Sequence, residues 1–402
     1  MRSRCPALPS LLLFCALGPA LAGSAPAQES ARKFITPDGK PGTGLFSPGV
    51  MAGRTLYVAG KGDYRPDAPF AEKVDNCIAE VRKTLLAAGL DTANVVKAFA
   101  YLEDPEQYAL FNERYAAVFK DAPPARTTLG VAQVPGESRV EITCIAYANR
   151  AAIRPVGTPP PGFPFSPGVL AGDTLYVSGK GDQLPGGGHP ATYPEQVRQA
   201  MSNVAATLKA AGLDWDNVVF SQVFLDGDAD RAVTEEVYAG YFKPLHQPAL
   251  AVVPVRWIPG GSHVEITCIA TTDLARRKVV RPPSLTAVPA GASAGVWAGD
   301  TLYLSGLSGL ENPAQPGDLD AQTNQMARNH DRALEAAGVS FGDIVSGCVY
   351  LNDMADYAAM NVIYKQFYSQ GHGVRTCLMP AAPAGPAAPR VWGSFIAFKP
   401  RP

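Results

Sequence analysis

Val140-Glu141-Ile142-Thr143-Cys144-Ile145-Ala146 returns without a change as Val264-Glu265-Ile266-Thr267-Cys268-Ile269-Ala270. Around this pair other blocks recur in the same order. Phe46-Ser47-Pro48-Gly49-Val50 returns as Phe165-Ser166-Pro167-Gly168-Val169. Thr55-Leu56-Tyr57-Val58 returns as Thr174-Leu175-Tyr176-Val177 and again as Thr301-Leu302-Tyr303-Leu304. Ala87-Ala88-Gly89-Leu90 returns as Ala210-Ala211-Gly212-Leu213 and Ala336-Ala337-Gly338-Val339. The third counterpart of the opening stretch is the altered Val391-Trp392-Gly393-Ser394-Phe395-Ile396-Ala397. Such ordered recurrence means duplicated domains, each far longer than a solenoid repeat.

The breaks between copies agree. Pro155, Pro159, Pro160, Pro161 and Pro164 lie between copies one and two, and Arg281-Pro282-Pro283 through Pro289 between copies two and three. Proline lacks a backbone donor and favours extended connectors. The expected bounds are 42–149, 162–272 and 287–400. Within copy one, a strand is expected over Thr55 to Ala59. A helix follows, with Val74, Ile78, Val81 and Leu85 on one face and Gly89 ending it at C′. A second strand runs near Val95 to Tyr101. Asp104-Pro105-Glu106-Gln107 then opens another helix through an Asp cap, Pro at N1 and a capping box closed by Gln107. Strands near Thr127 to Val134 and Arg139 to Tyr147 close the unit. The expected class is α+β, with two helices on one face of each sheet and the other face covered by neighbouring copies. Three copies in one chain then form a monomeric pseudo-trimer.

Composition narrows the function. The chain has 402 residues, 47% of them hydrophobic, and a net charge of -1. That is ample for several cores. The near-neutral balance, with no concentration of Lys and Arg, argues against a polyanion surface. Arg2 and Arg4, the apolar stretch Leu8 to Leu21 and the small-x-small Ala20-Leu21-Ala22 read as a signal peptide over 1–22. The expected location is periplasmic or secreted, with no membrane contact after cleavage. Of seven Cys, Cys5 and Cys15 fall in that segment. Cys77, Cys144, Cys268, Cys348 and Cys377 are too scattered for a disulfide framework. No two of the five His share ligand spacing on one helix, so no metal site is expected.

Four blocks of copy one carry a resemblance: Leu56-Tyr57-Val58-Ala59-Gly60, Asn112-Glu113-Arg114-Tyr115, Pro124-Ala125-Arg126-Thr127 and Val140-Glu141-Ile142. Together they resemble the RidA (YjgF) family, three times over. The resemblance implies a chorismate-mutase-like module with a mixed sheet, homotrimers with clefts between subunits, and hydrolysis of 2-imino acids to 2-keto acids and ammonia without a cofactor. The chemistry suits the residues. A guanidinium holds a carboxylate by two parallel hydrogen bonds and keeps its proton. A nearby carboxyl can position water and move protons. By the resemblance these roles fall to Arg126 and Glu141, and to Arg375 in copy three. Phe46, Asn112, Thr128, Asn361 and Cys377 become candidates to contact substrate.

The copies differ at these places. Leu250 replaces the Arg in copy two, which keeps Glu265, while Trp392 replaces the Glu in copy three. Glu235 stands at the position of Asn112, and Ala292 at that of Phe46 and Phe165. Copy one alone holds both Arg and Glu, which weights Arg126 over Arg375, although the partner copy of each cleft is not assigned. Structural readings stay open beside the functional ones. The arginines can be interface ion pairs, the glutamates partners of buried backbone donors, and the asparagines capping groups. Cys377 reads as a buried small side chain, and Lys61 and Lys180 as solvated strand ends. Two functions from different classes are carried: a hydrolase of small imino or enamine acids, and a non-catalytic module that binds small carboxylates. The endoribonuclease label sometimes attached to the family fits poorly with the charge.

Overall fold

A computed structural model describes residues 32–39, 44–160, 162–285, 288–310, 312, 314, 316–368, 373–382, 384–385 and 388–401. The expected signal segment 1–22 lies outside them. Three sheets follow one another along the chain, two of six strands and one of seven. In the first, Thr55–Gly62 pairs antiparallel with Val140–Tyr147, which pairs antiparallel with Val95–Leu102. Val95–Leu102 then pairs parallel with the edge strand Ala125–Gly130. Each sheet is therefore mixed. The parallel pair needs a crossover, and the helix Tyr108–Phe119 supplies it.

Two helices cover one face of each sheet. Phe70–Ala87 turns Val74, Ile78, Val81 and Leu85 into a core with Phe111 and Tyr115 of the second helix. The first helix ends where Gly89 takes φ +76°, and Gly212 and Gly338 repeat this at +75° and +76°. A left-handed residue there closes the last turn without a Cβ clash. The expected capping box at the second helix is not formed. Asp104 instead accepts from Glu106 N and caps the short turn Pro105–Gln107, and Tyr108–Phe119 starts without a side-chain cap. The α-helix therefore begins one short turn later than the sequence pattern suggests.

The chain beside each proline-rich break joins a sheet. Ile153–Val156 pairs with Gly168–Ala171 as the edge of the second sheet, and Arg277–Val280 pairs with Gly295–Ala298 in the third. Pro155 is tolerated because its strand is an edge.

The faces without helices meet one another. One apolar cluster draws Tyr101 and Leu129 from the first sheet, Tyr176 and Phe220 from the second, and Tyr303 and Tyr350 from the third. The edges also join in sequence. Ser166 N donates to Pro124 O at 2.9 Å, Ser293 N to Pro248 O at 2.9 Å, and Ser47 N to Gly373 O at 3.2 Å. The first module thus abuts the second, the second the third, and the third the first.

Candidate functional site

Three junctions follow from this ring, each pairing the arginine-bearing edge strand of one module with the next module's sheet. At the junction of modules one and two, Arg126 sits on Ala125–Gly130 and is only 3% exposed. Its backbone is clamped by module two: Arg126 N donates to Ser178 Oγ at 2.8 Å and Arg126 O accepts from Gly179 N at 3.0 Å. The guanidinium carbon lies 4.9 Å from the ring centres of both Tyr115 and Phe165. One aromatic comes from each module, and their π faces stabilise a cation that has lost water. Nη2 donates to Asn112 Oδ1 at 2.7 Å. Nη1 is buried with no hydrogen-bond partner among the described residues, and so is Thr128 Oγ1, two residues along the same strand face.

Glu265 of module two completes this junction. Burial raises its carboxyl to about 7, against the pull of Lys97, Arg126 and Lys180. Lys180 is lowered to about 8 by burial, opposed by Glu265. The same burial lowers Lys97 to about 7. Lys97 Nζ donates to Thr127 Oγ1, Val177 O and Thr267 Oγ1 at 2.7, 2.8 and 2.8 Å. A carboxyl on Val264–Thr271 fits only because Gly179 has no side chain: a Cβ there would overlap Glu265 Oε1.

The junction of modules three and one repeats the arrangement. Arg375 Nη1 donates to Asn361 Oδ1 at 2.6 Å and Nη2 to Tyr357 Oη at 3.2 Å. Its guanidinium carbon lies 4.7 Å from the Tyr364 ring centre and 5.2 Å from that of Phe46 of module one. The carboxyl here is Glu141, raised to about 8 by burial against the pull of Arg375 and Lys61. Gly60 makes room for it as Gly179 does for Glu265. Cys377 is buried two residues after Arg375, and its thiol is pushed up to about 12 by burial, so it is no nucleophile near neutral pH.

Two expectations change. Arg126 and Glu141 share a module but serve different junctions: Arg126 faces Glu265, and Arg375 faces Glu141. The weighting of Arg126 over Arg375 therefore loses its ground. Lys61 and Lys180 are not solvated strand ends. Both are half-buried beside the glutamates, and burial depresses both ammonium groups. A Lys directly after the strand's Gly carried this signal in the sequence. Lys97 carried none, since Phe220 and Ser346 stand at its place in the other copies. Phe46, Asn112, Thr128, Asn361 and Cys377 divide between the junctions, with Asn112 and Thr128 at Arg126 and the others at Arg375.

Two buried guanidinium–carboxyl pairs thus lie at the seams between fused α+β modules. A sequence model of the family described as Endoribonuclease L-PSP matches residues 40–148, 157–272 and 286–386. The chain belongs to this family, the RidA (YjgF) family, and carries its module three times over. It is 38% identical over 109 residues to the 2-iminobutanoate/2-iminopropanoate deaminase of Bos taurus, covering 27% of this chain and 79% of that protein. It is also similar to the crystal structure of E. coli TdcF with bound serine, at 30% identity and TM-score 0.26, over 30% of this chain and 93% of that one. A chorismatase crystal structure spans more of the molecule, 76% of this chain and 93% of its own, at 14% identity and TM-score 0.52. That likeness concerns the fold alone.

Proposed function

We propose that the Arg126/Glu265 and Arg375/Glu141 junctions hydrolyse small 2-imino acids, or their enamine tautomers, to 2-keto acids and ammonia. The observation that carries the reading is Arg126 Nη1, buried and without a hydrogen-bond partner in good geometry among the described residues, beside a carboxyl poised near neutrality. A substrate carboxylate supplies the acceptor that this nitrogen lacks, and a buried guanidinium needs such a counter-charge. Asn112 holds the other nitrogen and so fixes the plane of the fork. Glu265 with a value of about 7 is present in both protonation states near neutral pH. As carboxylate it takes a proton from water, whose oxygen bonds to the C=N carbon. As acid it returns the proton to nitrogen, giving a carbinolamine; the carboxylate then moves the hydroxyl proton of that adduct to the nitrogen as the C=O bond forms and the C–N bond breaks to release ammonia. The relatives named as imine deaminases match one module each, in keeping with this chemistry.

The test is an imine-trapping assay. Purified chain is added to an amino-acid oxidase that releases imines, with semicarbazide as the trap. Faster loss of imine is expected. Unchanged loss together with saturable keto-acid binding would assign the junctions to carboxylate binding alone, a reading favoured by the loss of both charged groups at the third junction.

A further inference from the structure

Lys97 belongs to the Arg126/Glu265 junction, and Ser346 holds its place at the Arg375/Glu141 junction. The Lys97 ammonium ties the strand of the arginine to the strand of the glutamate. Thr127 Oγ1, which accepts from it at 2.7 Å, follows Arg126 directly. Thr267 Oγ1, which accepts at 2.8 Å, stands two residues after Glu265 on the same strand face. The third acceptor is Val177 O at 2.8 Å. Thr267 Oγ1 gives its own hydrogen to that carbonyl at 2.6 Å. Thr267 and Val177 are thus left as acceptors only, which suits an ammonium with three donors and no acceptor.

Module three meets module one through the same acceptors without the lysine. Thr376 follows Arg375, and Thr143 stands two residues after Glu141. Thr143 Oγ1 donates to Val58 O at 2.6 Å, as Thr267 does to Val177 O. A cavity of about 80 Å³ has Val58, Thr143, Ser346 and Thr376 in its wall, together with Lys97 and Phe220. The junction of modules two and three, which has no arginine, keeps neither part: Phe220 replaces the lysine, and Ala251 follows Leu250.

The charges nearby are otherwise alike. Lys97, Arg126 and Lys180 act on Glu265, while Arg375 and Lys61 act on Glu141. The weak acids around Glu141 are Tyr64, Tyr101, Cys77, Cys348 and Cys377, and burial pushes all of them up, so they stay neutral near pH 7. So does Cys268 beside Lys97. Burial raises Glu265 to about 7 and Glu141 to about 8, in the order that an additional cation sets. Lys97 is itself lowered to about 7 by burial, so it carries its charge on the acid side of neutrality, where the glutamates take up their protons.

We propose that Lys97 is a positioning residue of the Arg126/Glu265 junction: it locks the glutamate strand of module two against the arginine strand of module one and keeps Glu265 ionised where Glu141 has already taken up a proton, so that the two junctions of one chain work in different pH windows.

Single-junction chains test it. Arg375→Ala leaves the first junction to be read, and Arg126→Ala the second. In the imine-trapping assay the acidic limb of the first should lie about one pH unit below that of the second. Lys97→Met in the Arg375→Ala chain should move that limb up and lower turnover about tenfold at pH 6. A merely structural lysine would lower turnover without moving the limb. Ser346→Lys in the Arg126→Ala chain supplies an ammonium to the second set of acceptors and should move its limb down. These profiles rest on the hydrolase reading of the junctions. A carbon-13 NMR titration of the Glu265 and Glu141 carboxyls does not, and it should show the same shifts even in a chain that hydrolyses nothing. The proposal falls if Lys97→Met leaves the Glu265 titration unmoved or, should that variant not fold, if Ser346→Lys leaves the Glu141 titration unmoved.

Discussion

Two buried arginines and two buried glutamates dominate the residue scale, and their pairing across modules can be measured. Arg126→Ala removes one of the three cations that act on Glu265, beside Lys97 and Lys180, and leaves a bound carboxylate without its partner. Breaking such a desolvated pair costs about 3–5 kcal/mol, so turnover or affinity at that junction should fall roughly 100-fold or more. Arg375→Ala should act equally at the other. The cross-module pairing has a sharper signature. Arg126→Ala and Glu265→Gln should couple by about 0.5–3 kcal/mol in a double-mutant cycle, while Arg126→Ala and Glu141→Gln should add. The reverse pattern, read from keto-acid titrations, would return the active pair to a single module. Protonation adds a second test. Glu141 is raised to about 8 by burial, so the folded state holds its proton more tightly than the unfolded chain. Its contribution to stability is fully present below the unfolded value near 4.5 and is lost as pH rises through about 8. Denaturation midpoints should therefore fall across this window in the parent chain and fall less in Glu141→Gln. Equal slopes would place Glu141 in water.

Elements decide whether those carboxyls fit. The repeated Leu-Tyr segment is followed three residues after its Tyr by Gly60 in module one and Gly179 in module two, and each lies where a Cβ would overlap the glutamate of the adjacent strand. At Gly306 the same Cβ would meet Ala251 Cβ at 3.1 Å, a contact that a small shift relieves. Gly179→Ala should thus displace Glu265 and silence the Arg126 junction alone, with Arg375 binding intact. Gly306→Ala should leave both arginine sites unaffected. Keto-acid stoichiometry by calorimetry separates these outcomes. Helices and strands were legible because their periods repeat three times, and Gly89 marked its helix end correctly. The start of the second helix was misread because Asp104 and Pro105 cap a separate short turn. Pro155 was taken for part of a spacer, since a proline gives no hint that an edge strand will accept it.

At the scale of the molecule, each sheet leaves an apolar face that one module cannot cover. Tyr101, Phe220 and Tyr303 in the shared cluster come from three different modules. Tyr303→Ala, at a position 3% exposed, should cost about 3–5 kcal/mol and lower a single cooperative transition rather than melt one module first. Separate calorimetric peaks would show independent modules. Because one chain closes the ring of junctions, the expected particle is a monomer, and sedimentation showing a stable trimer of chains would contradict it. Export is the expectation for 1–22: mass spectrometry of the cellular protein should find an N-terminus near Gly23, or near Gln28 if the second small-x-small site Ala25-Pro26-Ala27 is cut, and Met1 retained would sink it.

The sequence by itself determined the three modules, their α+β composition, the family and most residues that line the junctions, because these are encoded in local periodicity and in motifs that recur in order. It also showed which copies lack an arginine or a glutamate. Only the tertiary structure decided which arginine meets which glutamate. That pairing joins positions far apart in the chain, through the packing of one module's edge strand on the next module's sheet. Burial was likewise a tertiary outcome. Lys61, Lys180 and Lys97 look like ordinary surface cations until packing removes their water.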